Sequence, residues 1–331
     1  MSTIMSRRQF AATLAALAVA SRVAPAMAQT GWQPRGPVNI YMHTKPGGTA
    51  DIFIRTLAAS LEPMIGQPLV VQNFPGGGGA AQMTQVRRAQ PDGLSLGINT
   101  LSHFTGMLTN LKGVFAPEDF SWIAAAQVDP ILMFSRADDE ALKTVDDLVR
   151  VAKERGDGVI NMGGFGPVGS MQNIGISMFE KSAGIKMNWV AFEATPDILT
   201  ALLGGHVDVG VSNLGSTLPF FESDRLTPIA ILGPKRLDGV PDTPTVNEAG
   251  YPVNTEWLQV RGIFGPAGMD AALQQQIADA FHLAMQSDEY QEYARKAGVE
   301  DSDMGPEAYS EFVKQIMVVA EENLRAQNLI Q

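Results

Sequence analysis

The feature that most constrains the fold is a rhythm: short apolar runs alternate with stretches of helical spacing along most of the chain. Val38–Met42 reads as a strand, Pro46-Gly47-Gly48 as a turn, and Ile54, Leu57, Leu61 and Ile65 recur at helical spacing. Further strands are expected at 69–71, 94–98, 122–126 and 131–134, with a helix at 80–89. The rhythm resumes with a helix at 145–155, a strand at 159–162, a glycine-rich turn at 163–169 and a helix at 170–182. Strands at 189–192, 207–211 and 229–232 follow, and the tail reads as helices at 270–286 and from Pro306 to about Asn328. Such units predict an α/β fold of parallel sheets covered by helices.

Each half of the chain has one glycine-rich turn that carries a strand into a helix. In open parallel sheets ligands bind beyond the carboxyl ends of the strands. The following helix presents unpaired N–H groups and the positive end of its dipole, a ready site for an anion. Two such turns across a hinge would make a clamp. A single turn of this kind is common and names no ligand. The four glycines Gly76–Gly79 lack the Lys-Ser/Thr of a phosphate loop and the spacing of a dinucleotide fingerprint, so they read as a structural turn.

The first 28 residues read as an export signal. Arg7-Arg8 precede an apolar run from Ala11 to Ala20, and Ala26-Met27-Ala28 offers small residues for cleavage after Ala28. The run is about half the roughly 20 residues a membrane span needs. The paired arginines point to the twin-arginine (Tat) route. Removing this segment takes Arg7, Arg8 and Arg22 from the 24 basic residues, against 35 acidic ones, so the net charge goes from −11 to −14. No basic block appears, which argues against nucleic acid or an anionic membrane surface as partner. Any anion must be held by local donors. The chain has no cysteine, which excludes disulfides, thiolate metal sites and thiol catalysis. Roughly 300 remaining residues fit two domains.

Catalytic signatures do not emerge. His43, His103, His206 and His282 form no metal spacing, and His206 and His282 read as surface or cap residues. No G-x-S-x-G or S-x-x-K motif occurs, and pairs such as Asp138-Asp139 and Glu321-Glu322 read as solvated helix ends or faces. No cofactor or metal is expected, and the chain reads as a binding protein, not an enzyme.

Several fragments, in order, resemble the substrate-binding proteins of tripartite tricarboxylate transporters, the Bug or TctC family. They are Lys45-Pro46-Gly47-Gly48-Thr49-Ala50-Asp51, Gly66-Gln67-Pro68 with Val70-Val71-Gln72-Asn73-Phe74-Pro75-Gly76, and Ala89-Gln90-Pro91-Asp92-Gly93. Ala201-Leu202-Leu203-Gly204-Gly205-His206-Val207-Asp208, Asp242-Thr243-Pro244-Thr245-Val246-Asn247-Glu248-Ala249-Gly250 and Gly265-Pro266-Ala267-Gly268 complete the set. The resemblance implies a two-domain periplasmic-binding-protein type II (Venus-flytrap) fold with a two-strand hinge. One domain is expected over 29–134 plus 260–331 and the other over 135–259. It implies a small carboxylate ligand (a di- or tricarboxylate, an aromatic acid or an amino acid), membrane transporter subunits as partners, and a periplasmic monomer. A periplasmic sensor feeding a signalling protein is the alternative; an exported hydrolase or isomerase on the same fold would need an acid/base pair in the cleft.

By the same resemblance, the ligand-binding set includes Thr44, Gly48, Thr49, Ala50 and Asp51 of the first turn, where backbone and ordered waters hold a carboxylate. Asp51 reads as an acid that fixes the loop. From the second turn come Phe165, Gly166, Gly169, Ser170 and Asn173, and after a later strand Asn213. The sequence departs from the family where His43-Thr44-Lys45-Pro46 replaces P-F-P-A, and where Phe165 suggests a less polar wall. Val260-Arg261-Gly262 stands where W-F-G is usual, and Arg261 is a candidate for bidentate pairing with a distal carboxylate.

Overall fold

The computed structural model describes residues 31–331 apart from 255, 256 and 258; the expected signal segment 1–28 and its cleavage point lie outside the described residues. The elements run β1 (Val38–Met42), α1 (Thr49–Ile65), β2 (Leu69–Asn73), α2 (Ala80–Arg88), β3 (Ser95–Asn99), α3 (Leu101–Leu108), β4 (Phe120–Asp129) and β5 (Ile131–Arg136). They continue with α4 (Val145–Arg155), β6 (Asn161–Phe165), α5 (Met171–Ala183), β7 (Asn188–Phe192), α6 (Thr195–Leu203), β8 (Val209–Asn213), α7 (Leu214–Glu222) and β9 (Leu226–Leu232). The chain ends with β10 (Gln259–Pro266), α8 (Ala271–Met285), α9 (Asp288–Ala297), β11 (Glu300–Asp301) and α10 (Pro306–Ala326).

Two sheets form, in the orders β11-β4-β10-β3-β1-β2 and β7-β6-β8-β5-β9. Both are mixed, where the alternation of strands and helices predicts parallel ones. β1, β2 and β3 are parallel, as are β6, β7 and β8, but β10 opposes β3 and β4, and β5 opposes β8 and β9. The reason is the crossing between sheets. Most strands end at the cleft, whereas a strand arriving from the other sheet starts there and must run the opposite way. The first crossing falls at Pro130, between β4 and β5. The boundary expected at 134/135 therefore lies inside β5, a strand of the second sheet. The return leads into β10, which pairs with β4 along its length, so these two strands lie side by side at the junction.

Helices cover both faces of each sheet. One core packs α1, α8 and α9 on the first sheet, through Phe53, Leu57, Ile277, Phe281 and Tyr290. Another packs α6 and α7 on the second, through Ile198, Leu202 and Leu214. A third runs through both sheets and includes Phe104, Trp122, Phe264 and Tyr309 on one side and Met162, Ile174 and Phe179 on the other.

One local difference has a packing cause. The run expected to turn from residue 163 stays in strand β6 through Phe165. A Cβ on Gly164 would sit 2.1 Å from the Trp189 ring on neighbouring β7, so glycine is needed there for close packing inside a strand, not for a bend.

Candidate functional site

The strands that end at the cleft hand the chain to helices, and five helix N-termini converge on one inner compartment. Its walls include Gly48, Thr49 and Ala50 at the start of α1, Thr100 capping α3, and Gln172 in the first turn of α5. Ala194 and Thr195 at the start of α6, and Asn213 before α7, complete the ring with His43, Thr44, Phe165 and Arg261. The compartment is about 20 Å³, space for about one water molecule. An outer cavity of about 360 Å³ adjoins it, lined by Gly76–Gly79, Asn110, Gly166, Pro167, Ala191, Phe192 and Glu193. His43 and Phe165 line both, and their rings meet edge to face with centroids 5.5 Å apart. Of the two, only the outer cavity has room for a solute body.

The two halves touch across the cleft. Thr49 Oγ1 lies 2.5 Å from Ser216 Oγ, the Met171 N–H donates to Ser102 Oγ (3.3 Å), and Lys45 Nζ donates to Asp197 Oδ2 (2.8 Å). Each contact joins an element of the first sheet's half to one of the second's, so the cleft is shut.

Of the residues the sequence singles out, Thr44, Gly48, Thr49, Ala50, Phe165, Asn213 and Arg261 line the inner compartment. Gly166, Gly169 and Ser170 line a side recess that also reaches Phe165. Asp51 and Asn173 hold the turns in shape from behind. Asn173 Oδ1 accepts from the Gly169 N–H (2.8 Å). Asp51 accepts from the Gly47 N–H (3.0 Å), Arg55 Nε (2.9 Å) and Asn73 Nδ2 (2.9 Å). Burial pushes its carboxyl up, but these three donors together hold it below the usual carboxylate range. Asp51→Ala is expected to lower stability by about 1–3 kcal/mol, because the turn loses the buried acceptor that three hydrogen bonds share; thermal unfolding of the variant checks this, and an unchanged midpoint would remove Asp51 as the anchor of the turn.

Arg261 and Asn213 have more work than a ligand contact. Arg261 pairs with the Asp129 carboxylate and donates to Gln127 Oε1 (2.8 Å), so its charge is cancelled within the chain. Asn213 Nδ2 donates to the Asp129 and Pro130 carbonyls (3.3 and 2.9 Å), tying the end of β8 to the crossing.

Sequence reading missed several wall residues. Gly76–Gly79, set aside as a structural turn, all line the outer cavity with φ between 62° and 108°. The run of glycines was the available signal. Thr195 and Gln172 were missed; Pro196 and Asp197 in the first turn of α6 were the local sign of a helix start.

Several buried polar atoms here have no partner among the described residues: His43 Nδ1, Thr44 Oγ1 and Arg261 Nε, with Asn99 Oδ1 and Asp129 Oδ1 close by in the chain. His43 and Thr44 are 3% and 5% exposed. Burial, then neighbouring His103, holds the His43 ring well below the usual histidine pKa. The Ile98 backbone pulls the other way, with a smaller effect than burial. Two of the unpartnered groups are donors, Arg261 Nε and the Thr44 hydroxyl, and the Thr49 and Ala50 N–H groups stand beside them in the first turn of α1, where a helix offers no acceptor of its own.

Comparison with known proteins agrees with this architecture. Residues 53–331 match the family described as "TctC: Tripartite tricarboxylate transporter family receptor". The chain is 28% identical over 316 residues to the UPF0065 protein in gbd 5'region of Cupriavidus necator, covering 93% of this chain and 94% of that one. It is 27% identical over 259 residues to protein BugT of Bordetella pertussis, covering 77% of each. Among solved structures, periplasmic binding protein BugD superposes with a TM-score of 0.82 at 26% identity, over 89% of this chain and 99% of that one.

Proposed function

Because the chain belongs to the tripartite tricarboxylate transporter receptor family, periplasmic solute-binding proteins and not enzymes, we propose that it captures a small carboxylate and passes it to that transporter's membrane subunits. One observation carries the ligand class: five helix N-termini point at a compartment whose only cation among the described residues, Arg261, is already neutralised by Asp129. Their N–H groups and dipoles favour an anion there without a counter-charge. A carboxylate oxygen, or a water bridging to it, fills the inner compartment while the solute body occupies the outer cavity. The open form admits the solute, and closure forms the Thr49–Ser216 and Lys45–Asp197 contacts. The solute drives closure only to the extent that it binds the shut cleft more tightly than the open one. On this reading the chain is exported by the Tat route, cleaved after Ala28 and acts as a monomer.

A thermal-shift screen of the mature chain against mono-, di- and tricarboxylates tests the proposal. A ligand at 100 times its Kd stabilises the folded state by about 2.7 kcal/mol, a shift of several degrees. A carboxylate hit is the expected result. Shifts with neutral solutes and none with acids would overturn the ligand class.

A further inference from the structure

The two walls of the outer cavity differ in kind. The first sheet's half supplies Gly76–Gly79, so much of that wall is bare peptide backbone. The second half supplies Phe165, Phe192, Ala191 and Pro167, with one charged group, Glu193, which pairs with Lys45 (3.6 Å). Phe165 and Phe192 close the neighbouring strands β6 and β7 and are partners in register, which puts both rings on one face of the sheet.

Phe165 is the side chain placed to meet a solute. It borders the inner compartment, the outer cavity and the side recess alike, yet it joins none of the three hydrophobic cores. Its one ring contact among the described residues is with His43. A half-buried phenyl outside every core leaves apolar surface for a ligand to cover. Its place does not depend on the ring. The Phe165 N–H donates to Gln172 Oε1 (2.8 Å) and its carbonyl accepts from Ser170 Oγ (3.0 Å), so the start of α5 pins the main chain.

We propose that the body of the solute is an aromatic ring, slotted between the peptide planes of Gly76–Gly79 and the phenyl wall, and that Phe165 selects it over a saturated body. Resting on the carboxylate reading above, this puts the acid at the helix N-termini and the ring in the outer cavity. At about 360 Å³ the cavity falls within the roughly 300–1,000 Å³ of small-molecule pockets. No basic side chain lines it among the described residues, so an uncharged body suits it. The glycines place no side chain between a flat ring and the backbone. An aromatic ring also meets a phenyl edge to face or offset, with a gain beyond the area covered that a saturated ring lacks.

Matched acids test it by calorimetric titration of the mature protein. The pairs are benzoate with cyclohexanecarboxylate, phenylacetate with cyclohexylacetate, and 3-phenylpropionate with 3-cyclohexylpropionate; hexanoate, adipate and citrate complete the panel. In at least one pair the aromatic acid is expected to bind about three- to tenfold more tightly than its saturated partner, and more tightly than the three open-chain acids. In Phe165→Leu, which keeps an apolar wall, that ratio falls to within about twofold while the saturated acid binds much as before. The ranking in the unsubstituted protein stands as a test even where the variant fails to fold. Saturated partners that bind as well as the aromatic acids overturn the inference, as does an open-chain acid that binds most tightly; both leave the carboxylate reading intact. An aromatic preference that survives in Phe165→Leu overturns the role of Phe165. If no aromatic acid binds, the inference falls, and binding by neutral solutes alone removes the carboxylate reading with it.

Discussion

Asp129→Ala is expected to lower the free energy of unfolding by about 3–5 kcal/mol, because it strands a guanidinium inside the protein. Arg261 and Asp129 are each 1% exposed. They sit on β10 and β4, the neighbouring strands at the junction of the two sheets, where Arg261 pairs in register with Gln127. Burial pushes the Asp129 carboxyl up, and the charge and hydrogen bond of Arg261 draw it back. Once the acid is gone, Gln127 Oε1 remains as the polar partner of a charge that cannot be shed, since arginine does not deprotonate in proteins. The cost belongs to the uncompensated charge, not to the pair as such. Asp129→Leu combined with Arg261→Met is therefore expected to recover most of the loss, since apolar replacement of a whole buried pair is often neutral or stabilising. Urea unfolding measures both, and the slope with denaturant shows whether the compared states keep the same exposed surface. A loss under about 1 kcal/mol for Asp129→Ala would mean that the guanidinium reaches water in the folded protein.

This pair marks where sequence reading stops. Arg261 is visible as a departure from the family pattern, and a free arginine in a binding cleft invites a ligand carboxylate. Its real counter-ion lies 132 positions earlier and becomes a neighbour only through the antiparallel pairing of β10 with β4. Local periodicity gives the bounds of β1 and α4 directly, because the apolar positions and the Thr144 cap of α4 are contained in the segment itself. It cannot give strand direction at the hinge, which depends on the end from which a strand enters its sheet. Asp51 is legible for the opposite reason. Its donors Gly47 and Arg55 lie within four residues, and an acid in the first turn of a helix has few other uses. Gly76–Gly79 were misjudged because their loop has no motif. Their place on the cavity wall follows from β2 lying beside β1.

Acid is expected to weaken the protein from near pH 6.5 downward, through two buried histidines. Two histidines, His43 and His103, are buried with ring centroids 4.5 Å apart. Burial lowers the His103 pKa to about 4, against a smaller opposing effect of the Thr100 backbone, and lowers His43 well below its usual value. The Gln82 amide fixes the His103 tautomer. Gln82 Nε2 donates to the Tyr41 and Ile98 carbonyls (2.7 and 2.8 Å), so Oε1 faces His103 Nε2 (2.7 Å) and accepts its proton. His103 Nδ1 is then free to accept from the Thr100 N–H (3.0 Å). Arg261 adds to the penalty for charging His43. Both rings are therefore neutral when folded but titrate near 6.5 when unfolded. Their stabilisation is complete above pH 6.5 and is lost as pH falls toward the folded values, because the unfolded chain binds the protons first. Between pH 7.5 and pH 5 the His103 ring is worth about 2 kcal/mol of unfolding free energy, and His43 adds to the drop in the same direction. His43→Phe and His103→Gln should each reduce that drop, whatever they do to stability at pH 7.5. A wild-type loss below about 1 kcal/mol over this range would mean that the rings take up protons in the folded state.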